Sequence, residues 1–289
     1  MIAISGLTKR YRDVVAVDDM TLEVPTGSVC GLLGRNGAGK TTAFKCLLGF
    51  ATPDAGVAHF DGAPLSPATF ATLGYVPERP QLYAWLTVAQ HLEIVRRSQP
   101  SYDAARANEL VATFRLDPRK KAKRLSKGQQ TALALIIALA HKPSILILDE
   151  PASGLDPVMQ RAVLDLLVDA ATGGATILLS SHQIGQIERA ADHVAIMRDG
   201  RLVLTGEIDD LRAAAKIVEA TFESGIPALD GLPGVRRLER AGSTVRLYAN
   251  GQAQDVAKRL GELGGNGVRV LDRTLEDIFL DAVSDGGTQ

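Results

Sequence analysis

The sequence predicts an α/β chain in three parts: a largely parallel sheet core, an inserted helical lobe, and a small α+β unit at the C-terminal end. Three patterns carry that expectation. Residues 145–148 (ILIL) and 176–179 (TILL) are short runs without polar alternation, as in strands covered on both faces, and a helical period over residues 158–171 joins them. Residues 87–140 read as helical, with few glycines and many Ala, Leu, Arg and Gln. After residue 216 the order reads strand, hairpin, helix, strand, helix.

Taken in order, residues 1–76 hold short β-rich runs, including 28–33 and 57–60, broken by Gly, Pro and Asp turns. One helix interrupts them, starting near Lys40. The helical lobe spans about residues 78–140, and the βαβ unit returns the chain to the sheet. The Ala-rich stretch 211–216 closes a first domain of residues 1–215. The second domain, residues 216–289, is expected to hold a strand at 217–222, a hairpin at 235–249 turning at Gly242, a helix at 253–263, a strand at 268–271 and a helix at 275–283.

Composition narrows the function. The 289 residues are 46% hydrophobic and 22% charged, as in ordinary globular chains. With 32 Lys and Arg against 33 Asp and Glu, the net charge of -1 gives no global attraction to nucleic acid, and no nucleic-acid partner is expected. The dense basic cluster RKKAKR at 119–124 reads as a solvated helix end, because no aromatic residues interleave it. The longest apolar run, residues 132–140, is about half the length of a membrane-spanning helix. The first residues lack the pattern of a secretory signal, so a cytoplasmic location is expected. Cys30 and Cys46 are too few for a disulfide scaffold and are expected to be buried, reduced thiols.

The sharpest chemical signal is GRNGAGKTT at 34–42, which fits G-x-x-x-x-G-K-[ST] after an apolar strand. Phosphates need inward-pointing backbone N–H groups. Gly34, Gly37 and Gly39, with Asn36 and Ala38 between them, allow the turns and the close approach that side chains would block. Lys40 would reach the β- and γ-phosphates, Thr41 would hold Mg²⁺ through its hydroxyl, and Thr42 would continue the first helical turn.

Four further segments follow at characteristic distances: LSKGQ at 125–129, ILILDEP at 145–151, SGLD at 153–156, and a strand ending in SSH at His182. Together with the glycine-rich loop they resemble the ATP-binding cassette family over residues 1 to about 215. The resemblance implies an ATPase with ATP and Mg²⁺ bound. Asp149 would face the metal and Glu150 would take the proton of the attacking water. His182 would contact the γ-phosphate. His59, His91, His141 and His193 match no site and are expected to be structural or exposed.

LSKGQ in this family closes over ATP bound to a second subunit, so Ser126, Lys127, Gly128 and Gln129 are implied to act across a dimer, and Asp156 of SGLD is implied to bind nucleotide. One chain carries a complete set, which favours a homodimer. Lys127 stands where the signature usually has Gly and adds positive charge near the partner's phosphates. Tyr11 occupies the position of the aromatic residue that stacks on adenine. Glu78, grouped here with Thr41 and Asp149 as a metal-facing residue, stands where most members have Gln.

RTLEDIFL at 273–280 resembles the closing segment of ATPases serving drug, antibiotic and ion exporters whose membrane subunit is encoded separately. The resemblance therefore implies an ATPase subunit that drives an integral-membrane permease, in the export direction, held at the inner face of the membrane through that permease. An importer subunit and a soluble non-transport ATPase are the alternatives. Residues 77–88 are expected to form the coupling surface through Tyr83, Trp85 and Leu86, against the competing expectation that Trp85 fills the lobe's core.

Overall fold

The computed structural model describes residues 1–223, 225–229 and 231–283. The chain divides into two compact units between Thr205 and Gly206. The first opens with β1 (Ile2–Tyr11) and β2 (Val14–Val24), then β3 (Val29–Leu33), α1 (Lys40–Leu47), β4 (Ala55–Phe60), β5 (Ala63–Pro64), α2 (Pro67–Ala71) and β6 (Leu73–Val76). Next come α3 (Val88–Ser98), α4 (Ala104–Thr113) and α5 (Lys127–Leu139). The unit closes with β7 (Ile145–Asp149), α6 (Pro157–Thr172), β8 (Thr176–Ser181), α7 (Ile184–Ala190), β9 (His193–Arg198) and β10 (Arg201–Glu207), whose last two residues lie past the boundary.

Two sheets result, ordered β2-β1-β4-β5 and β10-β9-β3-β8-β7-β6. In the larger one β9, β3, β8, β7 and β6 run parallel. Every residue of β3, β7 and β8 is buried, which is why these strands show no polar alternation in the sequence. Helix α1 packs against both sheets, and Phe44 and Leu47 join Ile2, Leu7, Leu32, Ile147 and Leu178 in one core. The strand order brings the carboxyl ends of β3, β6, β7 and β8 to one edge, the place where open parallel sheets bind ligands.

Local capping starts the helices. Thr87 with Gln90 and Ser126 with Gln129 form capping boxes at α3 and α5, and Asp156 caps α6 by accepting from the N–H groups of Val158 and Met159. Helix α5 is covered by α3, α4 and β6, so its apolar run is nearly continuous. The basic stretch before it is not a helix end. Lys121 pairs with Thr87 in an isolated β-bridge, and Ala122–Arg124 forms a 3₁₀ turn.

His141, buried beyond α5, has its imidazole pKa pushed below the ordinary 6.5 by burial, which outweighs the backbone at Leu73 and Ile137. A histidine held neutral by the fold contributes fully above its unfolded pKa and weakens the fold as the pH falls below it. Thermal melts from about pH 7.5 down to about pH 5 should therefore show a falling midpoint that His141→Gln flattens.

The second unit contains α8 (Ile208–Ala214), β11 (Ala215–Thr221), β12 (Val235–Ala241), β13 (Thr244–Asn250), α9 (Ala253–Glu262), β14 (Asn266–Asp272) and α10 (Leu275–Val283). Its antiparallel sheet runs β12-β13-β11-β14, with Val218, Leu247, Val256 and Leu260 in the core under α9. The elements follow the expected order. The unit begins at Gly206 and not at residue 216, because α8 packs on β11. In the RTLEDIFL segment, Arg273 is buried over the Tyr248 ring and donates to Asp281 and to the Asp277 carbonyl, which ties α10 to the sheet.

Candidate active site

The loop between β3 and α1 is built by glycine. Gly39 has φ +110°, and a Cβ there would lie 2.2 Å from the Ala16 carbonyl oxygen. A Cβ at Gly34 would lie 2.6 Å from the Met197 carbonyl oxygen. The loop thus presses against β2 and β9, and its N–H groups open at the start of α1. Lys40 is buried and donates to the Gly34 carbonyl at 2.6 Å and the Arg35 carbonyl at 3.5 Å, folding its ammonium back over the loop.

Two carboxylates meet this loop from β7. Asp149 ends the strand and is 1% exposed. Its oxygens accept from Thr41 Oγ1 at 2.8 Å and from Ser180 Oγ, its neighbour across β8, at 2.6 Å. Among the described residues no cation pairs with it, so a buried charge is held by hydroxyls alone. Burial, with the nearby Asp149 charge as the second cause, pushes the Tyr75 phenol up to about 12.

Glu150 has φ 50°, a left-handed conformation that costs a side-chain-bearing residue about 1–3 kcal/mol. This turn aims it away from Asp149. One Glu150 oxygen lies 3.5 Å from Lys40 Nζ, and the other lies 2.9 Å from His182 Nδ1. The carboxylate acceptor assigns the proton to Nδ1 when the ring is neutral. Ser180 Oγ also accepts from the Glu150 N–H at 2.9 Å, so one hydroxyl ties the Asp149 carboxylate to the Glu150 backbone.

Lys40, Thr41, Glu150 and His182 face a groove of about 800 Å³ that Asn36 to Gly39, Thr42, Glu78 and Ser153 also line, whereas Gly34 and Asp149 lie outside the lining. Tyr11 stands 46% exposed at the end of β1, outside that lining, whereas Val14 and Ala16 form a wall. Ser126, Lys127, Gly128, Gln129 and Asp156 also lie outside the lining. Ser126 and Gln129 serve the α5 cap, where Gln129 Oε1 also accepts from Lys120.

The sequence reading missed Ser180 as a clamp, although it lies in the SSH run. It missed the wall from β2, which reaches the loop because Gly200 N donates to the Ala38 carbonyl and Asp18 N to the Gly200 carbonyl. Only the folded sheet brings those segments together.

The phosphate-cradling loop, paired carboxylates and histidine at the ends of parallel strands define a P-loop nucleotide-binding protein. A family model described as "ABC transporter" matches residues 17–153. "Nod factor export ATP-binding protein I" of Cupriavidus metallidurans is 35% identical over 289 residues, 95% of this chain and 94% of that protein. "Bacitracin transport ATP-binding protein BcrA" of Enterococcus faecalis is 30% identical over 315 aligned residues, 99% of this chain and 97% of that protein. A solved structure titled "Structure of ATP binding subunit of ABC transporter" is similar at 31% identity and TM-score 0.69, covering 74% of this chain and 92% of that one. The chain belongs to the ABC transporter ATP-binding proteins, and it is an ATPase. No helix among the described residues is long and apolar enough to cross a membrane.

Proposed function

We propose that two copies of this chain close around two ATP and drive a separately encoded membrane permease in the export direction, from the cytoplasmic face. The observation that carries the ATPase part is the Lys40–Glu150–His182 cluster beside Thr41–Asp149, at the mouth of the glycine loop. Export is favoured by the names of similar proteins, one of which is named "Nod factor export ATP-binding protein I".

Lys40 binds the terminal phosphates, and on doing so exchanges its contact with Glu150 for a phosphate oxygen. Glu150 then accepts the proton of the attacking water, held in place by His182 Nδ1–H. Thr41 and Asp149 would hold Mg²⁺: they are hard oxygen donors, and among the described residues no cation pairs with the buried Asp149 carboxylate. The metal would neutralise phosphate charge. Glu78, exposed on the groove, faces the same region. Tyr11 stacks on adenine, and Ser126, Lys127, Gly128, Gln129 and Asp156 complete the partner subunit's site.

Residues 77–88 form the permease-docking surface. Trp85 and Tyr83 are 66% and 52% exposed with ring centroids 5.5 Å apart, so Trp85 is no core residue. His91 holds their loop by accepting from Tyr83 N at 3.0 Å, with its Nδ1 2.8 Å from the Thr87 carbonyl oxygen.

Trp85→Ala should change stability by less than about 0.5 kcal/mol. It should weaken permease capture by about 2–4 kcal/mol, the worth of an aromatic anchor. Co-purification of both variants with the permease in detergent, alongside thermal melts, tests this. Unchanged capture would remove the docking surface, and a protein fraction without any integral-membrane partner would remove the transport reading.

A further inference from the structure

Charge in this chain is unevenly placed. The whole sequence carries -1, yet residues 117–127 hold Arg119, Lys120, Lys121, Lys123, Arg124 and Lys127 against one carboxylate, Asp117. Asp117 is turned to the backbone, where its Oδ1 accepts from Arg119 N at 2.9 Å. Lys120 donates to Gln129. The other five cations are exposed or at the surface, and among the described residues none of their side chains has an ion pair or hydrogen bond. Elsewhere the chain does pair its surface charges, as in Arg96 and Arg97 with Glu93.

In sequence the run has no aromatic neighbours, but the fold supplies them. Lys123 N donates to the Ala84 carbonyl at 3.1 Å, Ala122 N to the Leu86 carbonyl at 2.9 Å, and Val88 N to the Lys120 carbonyl at 3.1 Å. These bonds, with the Thr87–Lys121 bridge, lay the cationic turn alongside the loop that exposes Tyr83 and Trp85. Exposed indole and phenol rings beside unpaired Lys and Arg are the composition that settles at a membrane–water interface, with rings at headgroup depth and cations on anionic headgroups.

We propose that the cations of this surface, Lys121, Lys123 and Arg124, bind the anionic lipid surface of the membrane; Tyr83 and Trp85 beside them meet headgroups in the chain without its permease and the permease in the complex. Clusters of this size act through the summed field of several charges and need no fixed geometry, which suits a fluid layer of phosphate headgroups. The inference leans on the permease reading only for location: lipids around a docked permease are what the cations would meet.

The test uses the full isolated chain, without permease. It is mixed with vesicles of neutral phosphatidylcholine, or of phosphatidylcholine containing anionic phosphatidylglycerol, and sedimented. Binding is expected to the anionic vesicles only, and to weaken as salt rises. Trp85 is the one tryptophan in the chain, so its emission should shift to the blue on binding. The triple variant Lys121→Gln, Lys123→Gln, Arg124→Gln should lose about fivefold per charge, or about a hundredfold in all, with its thermal melt and ATP affinity unchanged.

Equal binding to both vesicle types, no binding, or full binding by the triple variant would each overturn the proposal. So would displacement of the vesicles by an oligonucleotide at equal charge concentration, which would show a nucleic-acid surface instead. Failure here leaves permease capture by Trp85 untouched, and failure of that capture leaves the vesicle result standing.

Discussion

Replacing Lys40 by Ala should abolish measurable Mg-ATP binding in a calorimetric titration that the parent chain passes readily. Among the described residues the ammonium is the one buried cation above the glycine loop, held by two carbonyl oxygens and by Glu150 at 3.5 Å. On binding it would trade these partners for phosphate oxygens. Charge-assisted hydrogen bonds are worth about 1.5–3 kcal/mol each, so losing two corresponds to about two to four orders of magnitude in affinity. A second effect adds to this: without the ammonium, Glu150 faces the incoming phosphates as an uncompensated negative charge. Binding of the variant at parental affinity would overturn the loop's assignment. Circular dichroism and a melt separate this from misfolding, since Lys40 is buried and its removal also costs some stability.

Glu150→Gln should lower ATP hydrolysis by about two to four orders of magnitude while leaving affinity nearly intact. The amide keeps the shape and can still accept from His182 Nδ1, now at 2.9 Å from the carboxylate, but it cannot take the water's proton. It also removes the negative charge beside Lys40. Nucleotide should then be retained, and gel filtration with Mg-ATP should show a dimer that the unliganded chain lacks. Turnover at the parental rate would show that another group is the base. A monomer under all conditions would count against the composite site formed with Ser126 to Gln129 of a second copy.

Much of this site was legible in the sequence because local chemistry fixes it. A loop that cradles phosphate needs glycine where the backbone is left-handed or crowded, and Gly39 meets both conditions. A strand buried on both faces must be continuously apolar, so ILILD announced a strand inside the sheet, flanked by β8 and β6, with Asp149 and Glu150 at its end. The capping boxes at Thr87 and Ser126 are likewise four-residue signals that survive without tertiary context.

Other features depend on long-range contacts. Ser180 becomes a clamp only because β8 pairs with β7 in a register that sets it beside Asp149. Glu150 and Asp149 diverge because one residue takes φ 50°, which no composition reveals. The β2 wall reaches the loop through Gly200.

The sequence by itself therefore determined the family and its ATPase class, since a glycine-rich turn between a buried strand and a helix depends on residue type within a few residues of backbone. It also determined the α/β class, through burial written into hydrophobic period. Only the tertiary structure decided which distant groups share a surface. It left Trp85 in solvent where the sequence allowed a core position, and it brought a basic run without aromatic neighbours alongside two exposed rings. The physical reason is that exposure and juxtaposition are set by backbone hydrogen bonds between segments far apart in the chain, such as Lys123 N to the Ala84 carbonyl, and these leave no mark on local composition.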